Sequence, residues 1–570
     1  MSDRRLRSAR WFEEDSIRGF AHRQRHLQMG YRRSDFVGRP VVGILNTHSD
    51  LATCHQHLRQ RAEDVKRGVL LAGGFPVELP TFSLGETIVK PTTMLYRNLL
   101  AIEAEELLRA HPVDAAVLLG GCDKTTPGLL MGALSARLPA VFVPAGPMVS
   151  GSFRGRAVGA GTHTKEYWDR RRRGEIDERD WLELETAMTR SPGTCQTMGT
   201  ASTMTCVAEA MGLTLPGAAT IPAVDSAHPR MAAAAGELAV RMAREGPSLA
   251  DLLTRAHFDN GAVALMALGG STNAAIHLVA MARRAGLAGY GLDDLVGAGR
   301  GVPVLADLFP NGRHMMQDLH DAGGVPALLA RVRDRLHGDV RGVDGTRIGD
   351  VAAGARVWND AVIRPLDAPV TRRPALALLR GSLAPGGAVM KPSAAGDALL
   401  RHEGRAVVFD GPADMAARID VDPIEAHDVL VLRGGGPVGA PGMPEWGNLP
   451  IPAPLLRQGV TDMVRISDAR MSGTHYGTCV LHVSPESAVG GPLALVRTGD
   501  RIALDVAAGR LDLLVDEAEL AQRRDAWRPP PRPTRGWAAL YVAHVGQAGD
   551  GCDFDFLLDD GAPVAEPEIH

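Results

Sequence analysis

An unbroken apolar run, Ala115 to Leu119, stops at Gly120-Gly121 and passes at once into Cys122-Asp123-Lys124-Thr125-Thr126-Pro127, then into helix-like residues from Gly128 to Ala136. A run so short and so uniformly apolar reads as a strand buried on both faces, as in a parallel sheet covered by helices. Where such a strand turns into a helix, α/β proteins present their chemistry and bind anions. Here the turn carries a thiol, a carboxylate and an amine side by side. Thiolate suits iron–sulfur or zinc and carboxylate suits Mg²⁺, so one short turn can serve two kinds of metal.

The same alternation recurs along the first part of the chain. Val41 to Leu45 and Ala140 to Val143 are further apolar runs, the first ending in the polar loop Asn46-Thr47-His48-Ser49-Asp50. Helical spacing marks residues 62–72, closed by Gly73-Gly74, then 101–109, 183–188, 200–211, 231–244 and 271–284. Strands alternating with helices predict an α/β fold with a largely parallel sheet. Residues before about Gly38 carry charge without a clear period and read as an irregular lead-in. After about Leu366 the texture changes. Gly, Pro and Val become dense, Val429 to Leu432 runs into Arg433-Gly434-Gly435-Gly436-Pro437, and residues 502–506 and 511–515 read as two strands joined by a Gly-containing turn. A chain of 570 residues exceeds what one core serves. The expected organisation is residues 1–370 as an N-terminal parallel-sheet α/β domain and 371–570 as a C-terminal β-barrel-like domain. Pro529 to Pro533 reads as a stiff linker.

Composition narrows the function classes. Charged residues are 22%, hydrophobic residues 45% and the net charge is −4, which favours neither a nucleic-acid nor a membrane surface. The run Arg170 to Arg173 sits among Glu175, Asp177, Glu178 and Asp180 and reads as a solvated helix face. No apolar run is long enough to span a bilayer, and the expected location is cytoplasmic. The six cysteines, Cys54, Cys122, Cys195, Cys206, Cys479 and Cys552, are too scattered for a disulfide scaffold, and none is spaced as CxxC. Any cluster must be assembled by folding distant segments together.

Cys54, Cys122 and Cys195 lie in polar or Gly-rich loops, where backbone N–H groups can approach cluster sulfides. Each taken singly reads equally well as a small buried hydrophobe. Cys206 in a helical run and Cys479 in a strand-like run fit that plainer reading better. Glu86, in Ser83-Leu84-Gly85-Glu86-Thr87, and Glu445, in Gly442-Met443-Pro444-Glu445-Trp446, are acids in loops. Each alone reads as an ordinary surface carboxylate, and Lys124 alone as a salt-bridge or phosphate lysine. Ser472, within Asp468-Ala469-Arg470-Met471-Ser472-Gly473-Thr474, is either a β-turn serine or a nucleophile or base. It is not a G-x-S-x-G elbow, because Arg470 stands where the first Gly belongs.

Taken together, Gly121-Cys122-Asp123-Lys124-Thr125, Gly193-Thr194-Cys195 with Met198-Gly199-Thr200-Ala201, Gly269-Gly270-Ser271-Thr272-Asn273 and Asp468 to Thr474 resemble the dihydroxy-acid dehydratase / phosphogluconate dehydratase family. The similarity runs in order from about Arg39 to about Val506. Gly38-Arg39-Pro40, residues 94–98 and Lys391-Pro392-Ser393 resemble most the pentonate dehydratases, those of L-arabinonate and D-xylonate.

The resemblance implies a [2Fe–2S] cluster on Cys54, Cys122 and Cys195, and Mg²⁺ held by Glu86, Asp123 and Glu445 with Lys124 as a carbamate. It further implies Ser472 as the proton-abstracting alkoxide and Thr474 as a substrate contact. The implied activity is a hydro-lyase converting a 2,3-dihydroxy sugar acid to the 2-keto-3-deoxy acid, in a homodimer or homotetramer. Dihydroxy-acid dehydration in branched-chain amino-acid synthesis is the alternative substrate class, and a non-catalytic iron–sulfur redox protein the alternative of another kind. A zinc hydrolase lacks any HExxH motif. The sequence departs from the family pattern at two places. His55-Gln56 follows Cys54 where Asn-Gly is usual, and His48 stands where the pentonate subgroup commonly has Trp. Both are expected beside the cluster and leave substrate preference open.

Overall fold

The computed structural model describes residues 5–172 and 174–558; of the arginine run, Arg173 lies outside the described residues. Four strands, β1 (Val41–Asn46), β2 (Phe75–Pro80), β3 (Ala115–Gly120) and β4 (Ala140–Pro144), form a parallel sheet in the order β2-β1-β3-β4. β1, β3 and β4 are buried at every residue, which is why their sequences are apolar throughout rather than alternating. In this order the chain moves one way from β1 to β2 and the other way from β3 to β4. Right-handed crossovers then put the connecting helices on opposite faces. Helix Leu58–Leu71 packs with Ala227–Glu245 on one face, and Arg97–Ala110 with Thr125–Ala136 on the other. The reversal of direction between β1 and β3 is the switch point at which open α/β sheets place their sites.

The N-terminal lead-in is helical rather than irregular. Helix Ile17–Gln28 is capped by Ser16, whose side chain accepts from the Gly19 N–H. Phe12, Phe36, Val41 and Phe75 then bury together against the edge of the sheet. The apolar residues that secure this segment are few and widely spaced among charges, so no period was visible.

After β4 a short hairpin, β5 (Gly151–Phe153) with β6 (Arg156–Val158), leads into helices Thr162–Arg172 and Glu178–Met188. Arg170 and Arg171 pair there with Glu175 and Glu178, as a solvated helix face does. Helices Thr200–Ala210, Arg255–Leu268 and Asn273–Arg284 are buried nearly all round and share one apolar core with the first sheet and with Val389 and Leu481 of the second.

The second sheet holds β7 (Ala377–Leu379), β8 (Gly387–Met390), β9 (Arg401–Phe409), β10 (Val429–Leu432), β11 (Arg465–Ser467), β12 (Cys479–Ser484), β13 (Arg501–Asp505) and β14 (Arg510–Leu513), in the order β14-β13-β9-β10-β11-β12-β8-β7. β9 to β12 are mutually parallel, and the flanking pairs are antiparallel. Its two edges meet: Arg380 N–H donates to the Gly509 carbonyl at 2.8 Å and the Leu511 N–H to the Arg380 carbonyl at 3.0 Å, so the sheet nearly closes into a barrel. Alternation follows from closure. Val408, Val431, Ile466, Val480, Met390 and Leu504 share the interior, while Val407, Phe409, Leu430 and Leu432 face outward under Leu449 and Leu455. Among the described residues no helix is long and apolar enough to cross a membrane.

Candidate active site

Every candidate ligand leaves the carboxyl end of a parallel strand or is tied to one. Cys54 follows β1, Glu86 follows β2, and Cys122, Asp123 and Lys124 follow β3. Cys195 comes from farther along, but its loop pairs with the chain beyond β4. The Thr194 N–H donates to the Gly146 carbonyl at 2.9 Å, and the Met148 N–H returns the bond to Thr194 at 2.9 Å. The crossing is close enough that a Cβ on Gly193, at φ +125°, would meet Met148 N at 2.7 Å. From the second sheet, Glu445 follows β10 and Ser472 follows β11. The carboxyl ends of the two sheets therefore face each other across a cavity of about 950 Å³, lined by Cys54, Cys122, Cys195, Glu86, Asp123, Glu445, Ser472 and Thr474. Cys206, Cys479 and Cys552 are buried in cores and do not line it.

One oxygen from each of Glu86, Asp123 and Glu445 lies within 4.8 Å of the others. Lys124, wholly buried, sits among them, with Nζ 3.1 Å from Glu86, 3.4 Å from Asp123 and 3.8 Å from Glu445. Arg470, also wholly buried, donates from Nη1 to Glu445 at 3.0 Å and from Nε to the Met443 carbonyl at 2.7 Å. Asn273 Nδ2 donates to Glu445 at 3.0 Å and to the Met471 carbonyl at 3.2 Å, and Thr93 donates to Glu86. Burial, reinforced by Glu86 and Glu445, pushes Asp123 up to about 6 against the pull of Lys124 and Arg470. Glu86 moves the other way, because Lys124 and Arg470 outweigh its burial. Three converging carboxylates repel unless cations lie between them, and an all-oxygen donor set of this kind fits a hard divalent cation.

The thiols form a second group beside the first. Cys54 is held well above its usual range by its hydrogen bond with Cys122, by burial and by the nearby Cys122 and Cys195 sulfurs. Burial and Asp123 push Cys195 up to about 12. Thiols so placed are poor nucleophiles. They ionise when a metal supplies the missing positive charge, so the donor set fits a soft metal centre. Behind them lies His55, which burial holds neutral by lowering it to about 3. Its Nε2 accepts from the Cys122 N–H at 3.1 Å, and its Nδ1 faces Ser83 Oγ at 3.2 Å. His55 thus orients the Cys122 loop from outside the cavity. His48 is turned to Asp50 at 3.7 Å; neither histidine lines the cavity, whereas Asp50, Thr53 and Gln56 do.

Ser472 begins a β-turn, with the His475 N–H donating to its carbonyl at 3.2 Å. Its Oγ and Thr474 Oγ1 share a hydrogen bond of 2.9 Å. Gly473 permits the turn to press on its neighbours, since a Cβ there would meet Ser271 Oγ at 2.7 Å. Sequence reasoning missed Arg470 and Asn273, both inside motifs it had singled out, because their partner Glu445 is remote in sequence. It also missed Lys165, Trp168 and His475, which line the cavity.

A family model described as dihydroxy-acid/6-phosphogluconate dehydratase N-terminal matches residues 39–351, and its C-terminal counterpart matches residues 361–552. The chain is 59% identical to a 6-deoxy-6-sulfo-D-gluconate dehydratase of Pseudomonas putida, over 99% of this chain and 98% of that protein. It is 48% identical to an L-arabinonate dehydratase of Rhizobium leguminosarum, over 97% and 96%. It is 39% identical to a dihydroxy-acid dehydratase of Aeropyrum pernix, over 96% and 99%.

Proposed function

Because the chain belongs to the dihydroxy-acid/6-phosphogluconate dehydratase family, we propose that it removes water from a 2,3-dihydroxy sugar acid, 6-deoxy-6-sulfo-D-gluconate, to give the 2-keto-3-deoxy acid. It is a hydro-lyase, as its relatives are. The substrate rests on 59% identity over nearly the whole length of both chains. The chemistry rests on one observation: three thiols and three carboxylates surround one cavity beside a buried lysine and a serine turn.

In this reading Cys54, Cys122 and Cys195 hold an iron–sulfur cluster, and Glu86, Asp123, Glu445 and a carbamylated Lys124 hold Mg²⁺. Bound there, the two groups supply Lewis acidity to the departing C3 hydroxyl and to the substrate carboxylate. Ser472, as its alkoxide, takes the C2 proton. The C2–H electrons form the C2–C3 double bond, the C3–O bond breaks to release hydroxide, which takes the proton back from Ser472 and leaves as water, and the enol tautomerises to the ketone. Thr474 orients Ser472 through their shared hydrogen bond. Arg470 and Asn273 fix Glu445, and His55 fixes the Cys122 backbone. Free buried thiols persist in a reducing compartment, so the enzyme works in the cytoplasm.

The test is a panel of 6-deoxy-6-sulfo-D-gluconate, D-gluconate, L-arabinonate and 2,3-dihydroxyisovalerate, assayed for 2-keto products with anaerobically purified protein and metal analysis of the same sample. The highest kcat/KM is expected on the sulfonated acid. Visible absorption of the cluster is expected to disappear in Cys122→Ser and to persist in Cys206→Ser. A preference for dihydroxyisovalerate would refute the substrate, and equal loss of colour in both variants would refute the ligand set.

A further inference from the structure

The dehydration chemistry leaves one wall of the cavity unused. Residues 151–188 fold β5, β6 and two helices around a small apolar core of their own, including Phe153, Tyr167, Leu184 and Met188. The side this segment turns to the cavity carries Thr164, Lys165 and Trp168. Its first helix is fastened to the catalytic turn. Thr162 Oγ1 donates to the Thr474 carbonyl at 3.3 Å, and a Cβ on Gly161 would meet Thr474 Cγ2 at 2.8 Å. Lys165 follows Thr162 by three residues, roughly 4.5 Å along the helix axis.

Lys165 is the one lysine or arginine among the described residues that line the cavity; the other ionised groups there are Asp50, Glu86, Asp123 and Glu445. His475, on the same wall as the catalytic turn, is near enough to feel its charge. Burial first, then Lys165, lowers His475 to about 3, so the imidazole is neutral. Its Nδ1 is buried and has no hydrogen-bond partner among the described residues. A sugar acid whose C1 carboxylate lies at the Lys124 cluster and whose C2 lies at Ser472 has four carbon–carbon bonds left to C6, roughly 5 Å when extended. Lys165 lies one helical turn beyond the Thr162–Thr474 contact and lines the same cavity as Ser472.

We propose that Lys165, with His475 Nδ1, forms the subsite for an anionic group on C6 of the substrate, a sulfonate, and is the specificity-determining cation of this enzyme. The inference rests on the sugar-acid reading of the same cavity and identifies the residues that select its far end. A sulfonate offers three acceptor oxygens, an ammonium three donors and a neutral imidazole one. A pentonate ends short of this position, and D-gluconate reaches it without charge.

The experiment compares wild type, Lys165→Gln and Lys165→Arg by kcat/KM on 6-deoxy-6-sulfo-D-gluconate, 6-phospho-D-gluconate and D-gluconate. Calorimetric Kd values for the sulfonated acid are measured in the Ser472→Ala background with and without Lys165→Gln. Lys165→Gln is expected to lower the ratio of sulfonate to gluconate kcat/KM by roughly 10- to 100-fold, the range for losing a hydrogen bond to a charged group, chiefly through KM. The Kd should rise in parallel, and Lys165→Arg should restore most of the ratio. A wild-type preference for the sulfonate that Lys165→Gln leaves within twofold overturns this inference alone. A wild type that dehydrates L-arabinonate or D-gluconate but not the sulfonate overturns the proposed substrate as well. A higher kcat/KM on 6-phospho-D-gluconate overturns sulfonate as the anion.

Discussion

The Ser472 hydroxyl bonds to Thr474 and, among the described residues, to no carboxylate or imidazole. A serine hydroxyl is too weak an acid to ionise unaided, so its activation must come from positive charge in the cavity rather than from a relay of side chains. In the proposed mechanism Ser472→Ala removes the base, together with its hydrogen bond to Thr474. Steady-state kcat is expected to fall by about 10²- to 10⁴-fold, with iron and magnesium contents unchanged. Turnover near the wild-type level would take Ser472 out of the reaction. The surrounding charges were only half legible. Asp123 and Lys124 announce themselves by adjacency on one turn, whereas Arg470 shows nothing in sequence that ties it to Glu445. Lone acids such as Glu86 read as surface residues until three of them converge.

At the scale of elements, the fit of helices to the first sheet sets where Cys54 stands. Helix Leu58–Leu71 begins just after Cys54 and crosses Ala227–Glu245 in backbone contact. A Cβ on Gly68 would lie 1.9 Å from the Ala233 carbonyl oxygen, and one on Gly236 would lie 2.4 Å from that of Val65. Gly68→Ala must therefore push the helices apart. The expected loss is about 1–3 kcal/mol from overpacking, less a fraction recovered from helix propensity. Urea unfolding followed by circular dichroism checks it against Gly289→Ala, where an added Cβ meets nothing within 4 Å; equal midpoints for the two would contradict the crossing. Strand and helix identity in this region followed from period and burial. The short helices before Gly38 did not, because their few apolar anchors, Phe12 and Phe36, find Phe75 only across the fold.

Across the whole molecule, residues 547–553 tie helices beside the first sheet to the loop after β12, where Gln547 Nε2 donates to Glu486 at 3.0 Å. Arg97 donates to the carbonyls of Gly551 at 2.8 Å and Cys552 at 2.9 Å, and Arg284 grips Asp553 through two bonds of 2.6 and 2.9 Å. Arg284 and Asp553 are almost wholly buried. Removing one partner of such a pair strands a charge, at a cost of about 3–5 kcal/mol; Glu105, 3.4 Å from Arg284, offsets part of it. Asp553→Ala is expected to lower Tm by several degrees in scanning calorimetry. Asp555→Ala, which breaks an exposed pair with His544, should leave Tm within a degree or so. Equal Tm values would mean that the C-terminal anchor carries no weight. By itself the sequence determined the alternation of strands and helices, the change to a β-rich second half, and which loops carry thiols, acids and the serine turn. These follow from periodicity and from the chemistry of single positions, which act over a few residues. Only the tertiary structure decided that the carboxyl ends of two sheets face one cavity, that Arg470 and Asn273 hold Glu445, that His55 stands behind Cys122, and that Lys165 looks into the site. Those relations join residues far apart in the chain, and the burial of both sheets against common helices sets them, which no local pattern encodes.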